Sequence, residues 1–242
     1  MATTHGTTSG KAGYHHGDLR NALIAAAVDL ATEGGPEKVV LREAARRVGV
    51  SPTAAYRHFE GQGDLLHAVK IHGQLALVEW MERASAAVPR CEDPGDAAES
   101  RIAAMGRGYV GFALAEPGLY RAAFCNPKLP GGSDEDEEWA GLTPAGPGPE
   151  FGAFVLLTAA LDALVATGRM PESNRAAAEV AAWSAVHGLS MLILDGPLKR
   201  LPLEERDAVI DRTVATITAG LTAPRSAVHG SGPDAPAGAP AE

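Results

Sequence analysis

From Leu19 onward the apolar residues recur three or four positions apart. Leu19, Leu23, Ala26, Ala27 and Leu30 form one stripe of a predicted helix. Gly34-Gly35-Pro36 ends it, because glycine caps a helix and proline cannot continue one. Leu41, Ala44, Ala45 and Val48 mark a second, short helix, with Arg42, Arg46 and Arg47 largely on its other side. Gly49-Val50-Ser51 reads as a turn, and Ser51-Pro52 as the N-cap and first residue of a third helix reaching about Phe59. Gly61-Gln62-Gly63 interrupts the pattern, and Asp64 is a candidate cap for a long helix to about Val88.

Helical spacing continues over residues 96–114, in a short stretch opened by Pro117, and over 150–167, 173–194 and 203–221. Residues 126–149 are rich in proline and glycine, carry the acidic run Asp134 to Glu138, and read as a long loop. Residues 1–13, rich in Thr, Gly and Ser, and residues 223–242, rich in Ala, Pro and Gly, read as disordered tails. No internal repeat and no strand pattern stands out. The expectation is an all-α protein of about nine helices: a head over residues 14–70 and a helical body over 71–222.

Composition supports helices. The chain has 242 residues, with 45% hydrophobic and 5% aromatic residues and abundant alanine, the strongest helix former. Net charge is −9, which taken whole disfavours a polyanionic partner. Its distribution changes that reading: residues 1–75 carry +1, the remainder −10, and residues 38–58 carry +4. Two cysteines, Cys91 and Cys125, make no disulfide framework. The N-terminus has no apolar signal segment, and the apolar stretch 151–167 is interrupted by Asp162 and too short to span a bilayer, so a cytoplasmic setting without a membrane partner is expected. The histidines, including His15, His16, His58, His67 and His72, lack metal-ligand spacing, so neither a metal nor another cofactor is expected.

The stretch LREAARRVGVSPTAAYRHF, residues 41–59, meets each demand of a helix-turn-helix. Small Ala44 and Ala45 permit a steep, close helix crossing, Gly49 tolerates the turn, and Val50 plugs the gap between the helices. Ala55 and Phe59 point inward, leaving Thr53, Arg57 and His58 to face a major groove.

In these residues, with HHGDLRNALIAAAVDLATEGG before them and GDLLHAV after, the region Tyr14 to Val69 closely resembles the DNA-binding head of the tetracycline-repressor (TetR/AcrR) family. The Tyr-x-His-Phe ending is its most specific piece. The resemblance implies a homodimer that reads a palindrome in double-stranded DNA. It places Ser51 at the cap of the recognition helix, Thr53 on base or backbone, Tyr56 and His58 on phosphates, Arg57 on a base edge or phosphate, and Arg42 on the backbone. Arg57 is the best candidate for reading guanine. Gln62 stands where many relatives carry a phosphate-contacting lysine, which puts one phosphate contact in doubt.

A second resemblance covers about residues 105–200. Trp183-Ser-Ala-Val-His187-Gly188 looks like the Trp–His–Gly signature of one C-terminal class of the same family, and Gly118 to Phe124 is typical of it. It implies that the last two helices build a four-helix bundle with a partner copy. Trp183, His187, Gly188, Met191, Ile210, Val214 and Ile217 are the candidate interface residues. Trp183 and His187 read as core packing in preference to ligand contact. A sensor's cavity is apolar with few polar anchors. Met105, Tyr109, Phe112, Phe124 and Phe154 are candidate lining residues for a small hydrophobic effector, and each also reads as plain core.

Three function classes follow. One is a repressor released from its operator by a ligand. Another is an activator or a regulator answering a protein partner, motivated by the acidic run Asp134 to Glu138. A helical enzyme is the remote third, since the chain has no Gly-rich phosphate loop, no Gly-x-Ser-x-Gly elbow and no metal-ligand cluster.

Overall fold

The computed structural model describes residues 16–124 and 152–224. Most of the two tails, Cys125, the 126–149 loop with its acidic run, and Phe151 lie outside the described residues. Within them the chain forms nine α-helices and no strand: α1 (His16–Gly34), α2 (Leu41–Val48), α3 (Pro52–Ala55), α4 (Gln62–Ala86), α5 (Pro94–Ala115), α6 (Pro117–Phe124), α7 (Gly152–Ala166), α8 (Ala178–Leu194) and α9 (Leu203–Thr222). None of these helices is long and apolar enough to cross a membrane.

Three boundaries differ from the sequence expectation. The recognition helix closes at Ala55, and residues 56–58 continue as a turn in which the Arg57 and His58 N–H groups bond three residues back. Gly61, not Asp64, is the N-cap of α4; Asp64 sits in the first turn and its carboxylate accepts from the Glu60 N–H at 3.2 Å. Residues 173–177 do not belong to α8. The Asn174 side chain donates to the Leu221 and Ala223 carbonyls at the end of α9, and Ala177 adopts a left-handed φ of 57°. An alanine-rich sequence that would extend the helix is broken by the need to satisfy another helix's last carbonyls.

The long α4 runs from the helix-turn-helix region into the body and packs on α1, α5, α6 and α7. Short α6 also bridges the two. The buried Gln74 side chain of α4 donates to the Ala123 carbonyl at 2.9 Å, and Arg121 forms a forked ion pair with Asp195 after α8, at 2.6 and 3.0 Å. At the other end of α6, Gly118 lies directly on the C-terminal turn of α1. A Cβ built there would stand 2.8 Å from the Thr32 carbonyl oxygen and closer still to that of Ala31. Only glycine permits this approach.

The body core holds a polar aromatic cluster. Tyr109 (α5), Tyr120 and Phe124 (α6), and Trp183 and His187 (α8) stack with ring centroids 5.0 to 6.4 Å apart. Trp183 Nε1 donates to Tyr109 Oη at 3.1 Å, and both tyrosine hydroxyls lie 2.8 Å from His187 Nδ1. Nδ1 accepts from a hydroxyl when it is unprotonated and donates when it carries a proton, so the state of the ring sets the direction of these bonds. Burial holds the His187 pKa below its ordinary 6.5 and so favours the neutral ring.

Two outcomes follow. Below pH 6.5 the unfolded chain binds a proton on His187 that the folded chain resists, so the contribution is intact above that pH and falls away as pH drops below it. Urea unfolding at pH 7.5 and 5.5 should show a loss of stability in the wild type that is smaller in His187→Gln. Gly118→Val should drive its side chain into the α1 carbonyls and cost about 1–3 kcal/mol, read as a lowered Tm.

Candidate nucleic-acid interface

The turn between α2 and α3 is built by the chain itself. Gly49 adopts φ 80°, its N–H bonds to the Arg46 carbonyl at 3.2 Å, and the Val50 N–H bonds back to Ala45 at 3.0 Å. This paired closure satisfies the last carbonyls of α2 and places half-buried Val50 against the core. Ser51 then caps α3, its Oγ accepting from the Ala54 N–H at 3.2 Å, with Pro52 in the first turn. Ala44, Ala45 and Ala55 are buried in the α2–α3 contact, and Phe59 closes the unit with 1% exposure. The guanidinium of Arg20 lies 5.0 Å from the Phe59 ring centre and covers it from α1.

This frame leaves Arg42, Ser51, Thr53, Tyr56 and Arg57 exposed, while His58 is half-buried and engaged with the protein. Tyr56 is 49% exposed, unusual for a large aromatic next to a core, and its ring is not among the residues that fill the core. The turn that follows α3 thus carries Tyr56 and Arg57 outward while Phe59 returns inward.

The arginines divide into two groups, a division that residue counting missed. Arg46 makes a forked pair with Glu43 at 2.7 and 2.8 Å, one turn apart on α2. Arg47 makes a forked pair with Glu33 of α1 at 2.6 and 2.7 Å, and also reaches Glu43 at 3.5 Å. The Arg46 hydrogen bonds hold the Glu43 pKa down at about 2, and those of Arg47 hold that of Glu33 below its usual range. These two cations bind acids of the head itself. Among the described residues, no ion pair occupies Arg42 or Arg57. Glu33 and Arg47 lie fourteen positions apart, so helical spacing alone could not pair them.

The body residues predicted to touch a ligand or a partner are placed as follows. Met105, Tyr109 and Phe112 are buried in the core, and Phe124 and Phe154 are half-buried. Tyr109 and Phe124 belong to the aromatic cluster, and Phe112 packs on Tyr120 and Trp80. Trp183 and His187, read from sequence as interface candidates, turn their polar atoms inward to Tyr109 and Tyr120. Val214 also turns inward, with 1% exposure, facing Gly106 of α5. Ile210 and Ile217 are half-buried against the core, and so is Met191. Gly188 has open space where a Cβ would stand, and exposed Val180 and Leu192 lie on the same helix. The inward stripe of α8 and its outward stripe are both apolar, which is why spacing did not separate them.

Two family models match the chain. Residues 23–69 match that of bacterial regulatory proteins of the tetR family, and residues 102–217 match the tetracyclin repressor-like C-terminal domain. An uncharacterised helix-turn-helix-type transcriptional regulator of Mycobacterium tuberculosis is 25% identical over 211 residues, covering 87% of this chain and 84% of its own. Among solved structures, a protein of unknown function from Rhodococcus sp. RHA1 is 28% identical with a TM-score of 0.66, over 88% of this chain and all of the other. A TetR variant from Acinetobacter baumannii AYE, crystallised with minocycline, shares the fold at 18% identity and a TM-score of 0.55, over 83% of this chain and 94% of its own. With the helix-turn-helix and the helical body each matched, the chain belongs to the TetR family of DNA-binding transcriptional regulators.

Proposed function

We propose that this regulator is a homodimeric repressor that leaves a palindromic operator when its body takes up a small hydrophobic effector. The observation that carries the DNA reading is the separation of the arginines. Arg46 and Arg47 are held by acids, whereas Arg42 and Arg57, like Thr53 and Tyr56, stand exposed. In this reading Arg57 contacts guanine, Thr53 a base or the backbone, and Tyr56, His58, Ser51 and Arg42 the phosphates. The reading divides the chain into a head over 14–70 and a regulatory body over 71–222.

The dimer reading rests on the outer face of α8 and on α9. Val180 is 46% exposed, Leu192 45% and Leu203 65%, and Gly188 offers a place for a partner helix to approach closely. Met191, Ile210 and Ile217 flank this face as half-buried residues. Trp183, His187 and Val214 support it from behind rather than touching the partner. A two-fold pair of such heads would require a palindrome with half-sites about one helical turn, or a multiple of it, apart.

The effector reading is supported by the aromatic cluster, where Tyr109, Phe112 and Phe124, with Met105 one turn away on α5, surround a few polar atoms in an apolar setting, and Phe154 would join them from α7. The Acinetobacter relative crystallised with minocycline makes a small-molecule effector a natural choice. An effector that displaces Tyr120 would move α6, and α6 rests on α1 through Gly118. Release by such a route needs a differential affinity between the two head positions, not mere contact.

Two measurements test the proposal. Selection of operator fragments by the purified protein should yield a palindrome. Arg57→Ala should lose about 1–3 kcal/mol of affinity and relax preference at one base position, while Arg42→Ala should weaken all sequences alike and lower the salt slope by about 1. Equal binding by wild type and Arg57→Ala would sink the base-reading role. For the dimer, Leu192→Glu should give monomers in sedimentation with helix content unchanged and operator binding lost; an intact dimer would move the interface elsewhere.

A further inference from the structure

Away from the aromatic cluster, a shallow, open groove of about 400 Å³ runs between α4 and α5, lined by Trp80, Arg83, Ala84, Arg107 and Gly108. It exists because two helix backbones meet there. A Cβ on Gly108 would stand 2.9 Å from both the Trp80 carbonyl oxygen and the Ala84 methyl group. The walls are mostly apolar, and two guanidinium groups stand in them. Arg83 stacks over the Trp80 ring with its central carbon 4.9 Å from the ring centre, and its Nε donates to the Glu79 carbonyl at 3.3 Å. Arg107 donates through Nε to Asp211 of α9 at 2.6 Å. Both partners of that last pair are about half exposed, so the pair exchanges readily with other carboxylates.

We infer that this groove is a binding site for a small aromatic carboxylate. The indole and the Ala84–Gly108 floor supply a flat apolar surface, and the size suits a compact ligand. A guanidinium stacked on an indole keeps its N–H edge free to fork onto a carboxylate. Asp211 already demonstrates that a carboxylate reaches Arg107. Inorganic anions would leave the apolar walls wet, and neutral aromatics would gain no charge-assisted bond from the free N–H groups of Arg83 or in exchange for Asp211 at Arg107, so the two properties belong in one ligand. The site goes beyond the effector reading above and does not depend on it: it lies on the outside of the α4–α5 pair. Trp80 stands eighteen residues past the start of α4, roughly 27 Å along the helix at 1.5 Å per residue. The occupied groove would therefore press on the distal end of the helix that reaches the head.

The test is calorimetric titration of the full-length protein with 2-naphthoate and with its neutral isostere 2-naphthamide. One naphthoate per chain should bind, at least tenfold more tightly than the amide. Arg83→Gln and Arg107→Gln should each weaken naphthoate at least tenfold while circular dichroism and Tm stay as in wild type. Asp211→Asn, which removes the competing carboxylate, should bind at least as tightly as wild type. The inference is overturned if naphthoate gives no heat at millimolar concentration, if both arginine variants bind it unchanged, or if Phe124→Ala abolishes binding and the arginine variants do not. Because no DNA is present, failure of the operator reading would not alter these results.

Discussion

The seating of α6 on α1 is the constraint on which the relation of head to body depends. Helix α4 alone would be a single strut between them, free to bend or swivel. Gly118 adds a second bearing, at backbone contact distance from the last turn of α1. Two bearings define an orientation where one does not. The other side of α6 is fastened by Gln74 to α4, by Arg121 to Asp195, and by Tyr120 to the histidine of α8. An eight-residue helix is too short to be stable through its own hydrogen bonds. Its position is set by these contacts, which makes it responsive to changes in any of them.

The aromatic cluster shows how much order a few polar atoms impose on an apolar interior. Leucines and alanines fill most of the core and would tolerate small shifts in register. The two tyrosine hydroxyls, the indole N–H and the imidazole cannot: a displaced partner leaves a buried donor unsatisfied. The cluster draws on α5, α6 and α8, so it fixes those three helices relative to one another through geometry rather than bulk. Burial of the imidazole favours its neutral form, which makes the ring's charge state part of the fold.

Much of this architecture was legible in the chain. The helical spacing of apolar residues gave the nine helices, and the run from Leu41 to Phe59 placed the turn, the cap and the inward residues, because all of these are set within a few positions of each other. What escaped was set by distant groups. The start of α8 was misjudged because Asn174 serves carbonyls forty-seven and forty-nine residues away. Arg47 read only as a cation on the polar side of the second helix, because its partner Glu33 sits on another helix fourteen residues away. Trp183 and His187 were grouped with Gly188 and Met191 as interface candidates, but a helix in the middle of a body has two apolar faces, and periodicity does not say which one meets the rest of the chain. The groove at Trp80 had no signature at all, since it arises from a crossing of two backbones.

The acid-held arginines bear on how such a protein would find its site. Attraction to random duplex comes almost wholly from cations that release counterions from phosphate. Here the body is acidic, and two of the four arginines on the helix-turn-helix are already neutralised by Glu33 and Glu43. While those pairs are kept, such a head would release fewer counterions from random duplex and would hold it more loosely. Its search would then proceed more by repeated encounters from solution than by sliding, and the time spent at any locus would be governed by the few contacts that distinguish one sequence from another.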